Sequence, residues 1–246
     1  MSDPGMPDPE TDTRRMKAVF LVAAAVAFAA VPLAVPFDGF APQAFPIPQD
    51  DPPVQPAGYA FGIWGPIYLW LIVHAVFGLV KRADSPDWDG PRWPLTASLI
   101  VGAAWLPVAQ FSPLWATVMI WAMLATALLA LLRAPGGVDP WLLRAPLALY
   151  AGWLTAASWV SIGLLGAGYG VGPGQTGWAW IGLAGALATA LAVLRARADA
   201  PLYAAAVVWA LIAVAVANRG QDWALAAAAL AGAAVVAAPA LARLRT

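Results

Sequence analysis

Long apolar runs broken by short polar stretches set the rhythm of this chain. The first runs from Ala18 to about Pro36, behind Arg14, Arg15 and Lys17. Seven more follow, at about 57–80, 94–111, 113–132, 141–166, 177–194, 201–217 and 222–242. Each is close to the ~20 residues an α-helix needs to cross a hydrocarbon core about 30 Å thick. The pattern predicts an all-α polytopic membrane protein with about eight transmembrane helices. A charged start before an apolar run also marks signal peptides. Here the run is long, and no Ala-x-Ala site followed by a soluble domain comes after it, so it reads as the first span.

The breaks carry their own information. Residues 1–13 are polar, acidic and proline-rich, which predicts a disordered cytoplasmic tail over residues 1–16. Residues 37–56 hold prolines at 42, 46, 48, 52, 53 and 56. Proline at that density forbids a regular helix and gives a stiff, extended path. Pro135-Gly136-Gly137 and the glycine-rich stretch 167–176 read as loops. The last three apolar runs, within 167–246, are plainer and richer in alanine than those before them. They are expected to form a flank separable from the binding helices.

Charge then orients the spans. With eight crossings, twelve of the thirteen Lys and Arg residues fall on one side, and only Arg219 on the other. The positive-inside rule makes that side cytoplasmic, so both termini are expected inside and the proline-rich loop outside. Composition agrees with the membrane reading. Hydrophobic residues make up 62% and charged residues 11% of the chain, against about 25% charged in soluble domains. With no cysteine there is no disulfide, thiolate nucleophile or cysteine metal site. A net charge of zero without long basic runs argues against nucleic acid as a partner. No Asp, Glu, Lys or Arg lies in the middle of a span, where ion-coupled transporters place such groups. There is no paired carboxylate, Walker loop or His/carboxylate cluster.

The chemistry that remains is aromatic. Gly58–His74 carries Tyr59, Phe61, Trp64, Tyr68 and Trp70, together with Pro66 and the only histidine, His74. Phe61, Trp64 and Tyr68 recur at a helical spacing that groups their rings on one side. Such a wall either packs a bundle core or lines a pocket, and the spacing alone leaves both open. Kinks at Pro66 and Pro146 would make room between the second and fifth spans. Trp88, Trp93, Trp141, Trp178 and Trp223 sit near span ends and read as an interfacial belt.

The stretch Gly58-Tyr-Ala-Phe-Gly-Ile-Trp-Gly-Pro-Ile-Tyr68 resembles the second-helix signature of the TspO/translocator-protein family, the tryptophan-rich sensory proteins. Trp64 to Tyr68 keeps that signature's four-residue step, behind a proline-rich loop. Tyr150 and Trp153 keep the family's Tyr-x-x-Trp step, and Trp105 matches a family tryptophan. The family's asparagines are replaced, by Ser161 in the fifth span and by Gly102 or Ala103 in the third. The resemblance covers about residues 17–166, the first five spans, and suggests a divergent, longer branch. It implies a five-helix bundle whose outer loop caps a pocket lined by Tyr59, Phe61, Trp64, Tyr68, Trp105, Tyr150 and Trp153. It implies binding of a planar hydrophobic ligand, porphyrin, haem or sterol-like, by a receptor, regulator or carrier, with no covalently bound cofactor. His74 is the candidate haem ligand. Two other readings stand beside this one: an enzyme degrading a bound tetrapyrrole with light and oxygen, and a ligand-free scaffold. The expected partners are the bilayer and a small hydrophobic ligand, and a homodimer is compatible with the pattern.

Overall fold

The computed structural model describes residues 9–37 and 39–243, with side chains described from Glu10 to Ala238. These residues form eight α-helices and no strand: α1 (Pro9–Ala34), α2 (Trp64–Arg82), α3 (Pro86–Ala109), α4 (Pro113–Arg133), α5 (Arg144–Gly168), α6 (Gly174–Ala196), α7 (Pro201–Asn218) and α8 (Trp223–Arg243). Six are long and apolar enough to cross a membrane. Of the other two, α3 carries Asp87, Asp89 and Arg92 near its start, and the apolar stretch described for α8, Trp223–Ala238, is shorter. The protein is an all-α polytopic membrane protein.

Several boundaries differ from the sequence reading. α1 begins at Pro9, so residues 9–16 of the expected tail are helical, while residues 1–8 lie outside the described residues. Glu10 and Asp12 in its first turn favour a helix start. Arg14 adds an i,i+4 ion pair to Glu10 at 2.8 Å. The second span opens as a 3₁₀ segment, Gly58–Ile63, and becomes α-helical only at Trp64. Tyr59 and Phe61 therefore do not continue the α-helical face of Trp64 and Tyr68. Pro66 and Pro146 each fall third in their helices, α2 and α5. A proline in the first turn sits where N–H groups lack helical partners anyway, so neither breaks a helix interior. The kinks expected there have no structural basis.

α5 is the hub. Buried residues make up 72% of its apolar window, against 28% for α1 and α2. It packs against α2, α4, α6 and α7, while α1 packs on α2 and α3, and α7 on α8. Gly152 lets α7 approach closely: a Cβ there would lie 2.5 Å from the Tyr203 carbonyl oxygen. Tyr203 is fully buried, and its hydroxyl bonds Thr155 of α5 at 2.8 Å. α6 and α7 thus pack directly on α5, and α8 packs on α6 and α7.

Ion pairs gather alternate connections at one end. Arg15 meets Asp84 at 2.7 Å, Lys17 meets Asp89 at 2.8 Å and Arg82 meets Asp139 at 2.8 Å. Arg144 and Arg197 both hold Asp199, at 2.6 and 3.0 Å. The start of α1 and the α2–α3, α4–α5 and α6–α7 connections therefore share an end. Two arginines there also close helices. Buried Arg92 donates to the carbonyls of Arg82 and Ala83 at 2.7 and 2.9 Å, at the end of α2. Arg197 donates to those of Leu131 and Ala134 at 2.7 Å each, at the end of α4. The last carbonyls of a helix lack N–H partners and carry partial negative charge, so a guanidinium satisfies both needs. At the opposite end, the proline-rich loop rests on α5 and α7. Ile47 N–H donates to Gly168 at 2.8 Å, Ala57 N–H donates to Ala213 at 3.1 Å, and Asn218 donates to Pro53 at 2.8 Å.

Candidate functional site

Under that loop the aromatic residues of α1, α2, α3 and α5 meet. Trp64 and Tyr68, one helical turn apart, stack at 5.3 Å and 15°. Phe28 of α1 meets Tyr68 edge-on at 5.0 Å. Trp153 of α5 stands edge-on to Trp64 at 6.2 Å and to Phe61 at 5.8 Å. On the loop side Phe37 meets Trp105 edge-on at 5.2 Å. Edge-to-face and offset arrangements at these separations are the favourable ones.

The rings enclose a chamber of ≈ 220 Å³ bounded by Phe28, Phe61, Trp64, Tyr68, Trp105 and Trp153. A second, almost wholly apolar cavity of ≈ 100 Å³ lies beyond it, among Trp159 of α5, Ala179, Gly182 and Leu183 of α6, and Ala210 and Val214 of α7. Phe61, Trp105 and Trp153 line both, so one aromatic wall divides them. Val54 of the loop closes the second cavity, wedged where a Cβ on Gly163 or Gly182 would meet it at 2.8 or 3.0 Å.

Several polar groups near the chamber are satisfied within the protein, and among the fully buried ones lining it the Trp153 N–H is not. Trp105 Nε1 donates to the Ala116 carbonyl at 2.8 Å, and Trp159 Nε1 donates to Thr189 Oγ1 at 3.1 Å. Ser98 gives its hydroxyl proton to the Met123 carbonyl at 2.8 Å and accepts from Tyr150 at 3.0 Å. Trp153 is 2% exposed, and its indole N–H has no acceptor in the protein. A buried donor left unmade costs about 1–3 kcal/mol. This one sits in the wall common to both cavities.

The family model described as TSPO-like protein matches residues 16–242. The chain belongs to this family. No match was found among curated proteins or among solved structures. The matched region of this TSPO-like protein runs from α1 into α8. Membership is thus not confined to residues 17–166, where the recognisable motifs lie.

Five of the residues expected in the pocket line the chamber: Phe61, Trp64, Tyr68, Trp105 and Trp153. Two do not. Tyr59 is 49% exposed and packs edge-on against Trp209 at 5.4 Å. Tyr150 is fully buried behind Phe28 and Trp64, with its hydroxyl held by Ser98. His74 lines neither cavity. Its ring stacks on Trp88 at 5.1 Å, and its Nδ1 lies 2.7 Å from the Leu142 carbonyl, to which it must donate. Trp88 in turn donates to Asp139 at 3.0 Å and is 1% exposed, so it is core and not interfacial belt. Trp93, Trp141 and Trp223 are exposed, as a belt requires.

Sequence reasoning missed Phe28, Phe37, Phe40 and the walls from α6 and α7. Aromatic density in Phe37-Asp-Gly-Phe40 was a usable signal, because a polar loop has little reason to hold two phenylalanines. Phe28 and the alanines of α6 and α7 look like any span residue.

Proposed function

We propose that this TSPO-like protein binds a planar hydrophobic ligand of tetrapyrrole or sterol-like class in the aromatic chamber, as a membrane receptor, regulator or carrier. The observation that carries the reading is the unpartnered Trp153 N–H in the wall of a chamber lined by aromatic rings. A flat ring stacks on Trp64 and Tyr68, and an acceptor on its rim takes the Trp153 proton. Ligand pockets generally span about 300–1,000 Å³, more than the chamber holds alone. A ligand of this class therefore uses both cavities and turns the Phe61–Trp153 wall edge-on.

The residues present suit a porphyrin ring, but histidine ligation of its iron is not available in either cavity. The only histidine is stacked on Trp88 and lines neither cavity. Haem would be held by its ring faces and rim, with Tyr68 and Met123 the chamber side chains whose chemistry suits its iron. The cationic end is placed in the cytoplasm, which puts the proline-rich loop outside, in keeping with the positive-inside rule.

The test is quenching of tryptophan fluorescence in detergent-purified protein titrated with protoporphyrin IX, haem and a sterol. Saturable quenching by at least one supports the reading. The absence of saturation with all three overturns it.

A further inference from the structure

The two cavities that share the wall of Phe61, Trp105 and Trp153 differ in chemistry. In the chamber, Trp64 and Tyr68 each carry a polar atom that bonds nothing in the protein. Trp153 holds its N–H sealed from any surface, whereas the Trp64 N–H and the Tyr68 hydroxyl belong to half-buried rings and stay accessible. The two rings stack one turn apart at 5.3 Å, so both groups lie in one part of the lining. An indole N–H only donates, and a phenol has a proton to give. Among the described residues no charged or amide side chain lines the chamber. What is seated there must therefore be neutral and must accept.

The second cavity asks for the opposite. Its walls from α6 and α7 are Ala, Gly, Leu and Val throughout, Ala186 and Ala210 among them, and carry no polar side-chain atom. At ≈ 100 Å³ it is also the smaller space. A cavity lined this way stays dry and takes apolar guests. Nothing in these two walls would recognise a substituted ring, but an aliphatic chain needs no partner beyond contact. A chain is also slimmer than a ring and can pass a wall that a ring would have to turn.

We propose that the two cavities together take a membrane quinone, a flat neutral ring with carbonyl acceptors and an attached aliphatic chain. The ring lies in the chamber, where its carbonyl oxygens accept from the Trp64 N–H and the Tyr68 hydroxyl. The chain runs past the shared wall into the cavity between α5, α6 and α7. A quinone ring brings acceptors and no donors, which matches a lining that offers N–H and O–H protons. One ring, or two fused, also needs less room than a tetrapyrrole. A quinone is a planar hydrophobic ligand, so its binding rests on the function proposed for the chamber, but its chemistry is that of neither a tetrapyrrole nor a sterol.

The experiment is calorimetric titration of the full-length protein into detergent micelles loaded with each probe at matched mole fraction, which cancels the chain's own partitioning. The probes are menadione, its prenylated form, and the naphthalene hydrocarbon that carries the same methyl and prenyl groups. The prenylated quinone should bind saturably. It should bind about tenfold or more tighter than menadione, through burial of the chain. It should exceed the prenylated naphthalene by about tenfold or more, through two hydrogen bonds. Tyr68→Phe keeps the ring and removes the hydroxyl. It should weaken both quinones about fivefold, one hydrogen bond, and leave the naphthalene unchanged. Ala186→Leu fills the second cavity and should bring the prenylated quinone down to menadione, whose own affinity stays the same. Ala210→Val is the smaller filling, used in its place if Ala186→Leu lowers the melting midpoint.

Equal binding of menadione and its prenylated form would overturn the proposal, and so would a chain preference that survives the filled cavity. A naphthalene that binds as tightly as the quinone, or quinone binding indifferent to Tyr68→Phe, would overturn it as well. Saturation with protoporphyrin IX, haem or a sterol but not with the quinone would overturn the quinone assignment alone. No saturation with any of these probes would overturn both it and the function proposed for the chamber.

Discussion

Replacing Trp153 with phenylalanine separates a ligand donor from a packing residue, because the two roles give opposite signs. The substitution removes the unpartnered N–H and one edge of the ring system. Beside the nitrogen, the lost edge is about two carbons, at ~0.8 kcal/mol each for burial. Removing a buried donor that has no acceptor returns about 1–3 kcal/mol. The two nearly cancel, so the unliganded variant should melt within about 1 kcal/mol of the parent. The liganded state behaves differently. An acceptor on the ligand that met the Trp153 N–H is now buried without a partner, at the same 1–3 kcal/mol. Affinity for the quenching ligand should fall about tenfold, the equivalent of ~1.4 kcal/mol. Trp121→Phe is the control. Trp121 lines neither cavity, and its Nε1 donates to the Ser158 carbonyl at 3.2 Å. Its loss should lower the melting midpoint and leave affinity alone. Melting and fluorescence titration of the two variants form a crossed pair. If Trp153→Phe is clearly destabilised and binds normally, the N–H is not a ligand donor and the reasoning fails.

Gly152→Ala should destabilise by about 1–2 kcal/mol: overpacking against the Tyr203 carbonyl costs 1–3 kcal/mol, partly offset by up to ~1 kcal/mol of helix propensity. Gly65→Ala, with nothing near its added methyl, should be neutral or stabilising, and equal melting of the two variants would contradict the α5–α7 contact. The Arg82 hydrogen bond, helped by the one from Trp88, holds the Asp139 carboxyl below its ordinary value of 3.8. Its stabilisation is therefore complete above that value and is lost as pH falls below it. Melting midpoints from neutral pH down to about pH 2.5 should decline less steeply in Asp139→Asn than in the parent, and parallel curves would refute the assignment. The chain has no native cysteine, so single cysteines at Gly137 and Gln221 can be labelled cleanly. An impermeant reagent should reach them from opposite faces, Gly137 from the cytoplasm, and labelling of both from one face would overturn the crossing pattern.

The helices were legible because each apolar run is bounded by charge, proline or glycine, all local signals. The ends were less so. The charged residues at the start of α3 look like loop, yet Asp89 pairs with Lys17 and Arg92 closes α2, so the helix extends back to Pro86. Half of the chamber was legible too. An aromatic inside a run that needs only Leu, Val and Ala stands out, and Trp64 and Tyr68 were found that way, Trp105 and Trp153 through the family resemblance. The other half depends on which helices face each other, and sequence periodicity does not encode that. Ala179, Gly182 and Ala210 carry no mark of lining a cavity. The packing of the last helices was illegible for the same reason: alanine reads as plain, yet small residues let α7 come close to α5. His74 shows the converse error. A lone histidine in lipid drew attention as a ligand, while its stack on Trp88 and bond to Leu142 make it a core contact.

The two ends of the bundle are held by different forces, and the difference bears on how a ligand enters. At the cationic end, ion pairs join α1 to α3 and to the α2–α3 connection, α2 to the α4–α5 connection and α5 to the α6–α7 connection, while Arg92 and Arg197 lock the ends of α2 and α4. Charge-assisted bonds are about twice as strong as neutral ones, and several converge on each connection. At the other end, the loop is fastened by neutral bonds from Ile47, Ala57 and Asn218 and by the burial of Phe45 and Val54. Lifting residues 45–56 breaks few bonds, none of them ionic. It withdraws Val54 from the second cavity and Phe45 from its edge-on contact with Phe40. Of the two ends, the one that opens at lower cost is therefore the loop end, above the chamber. It leads to the aromatic wall that would have to turn for a large flat ligand to be seated, and it leaves the ion-paired end undisturbed.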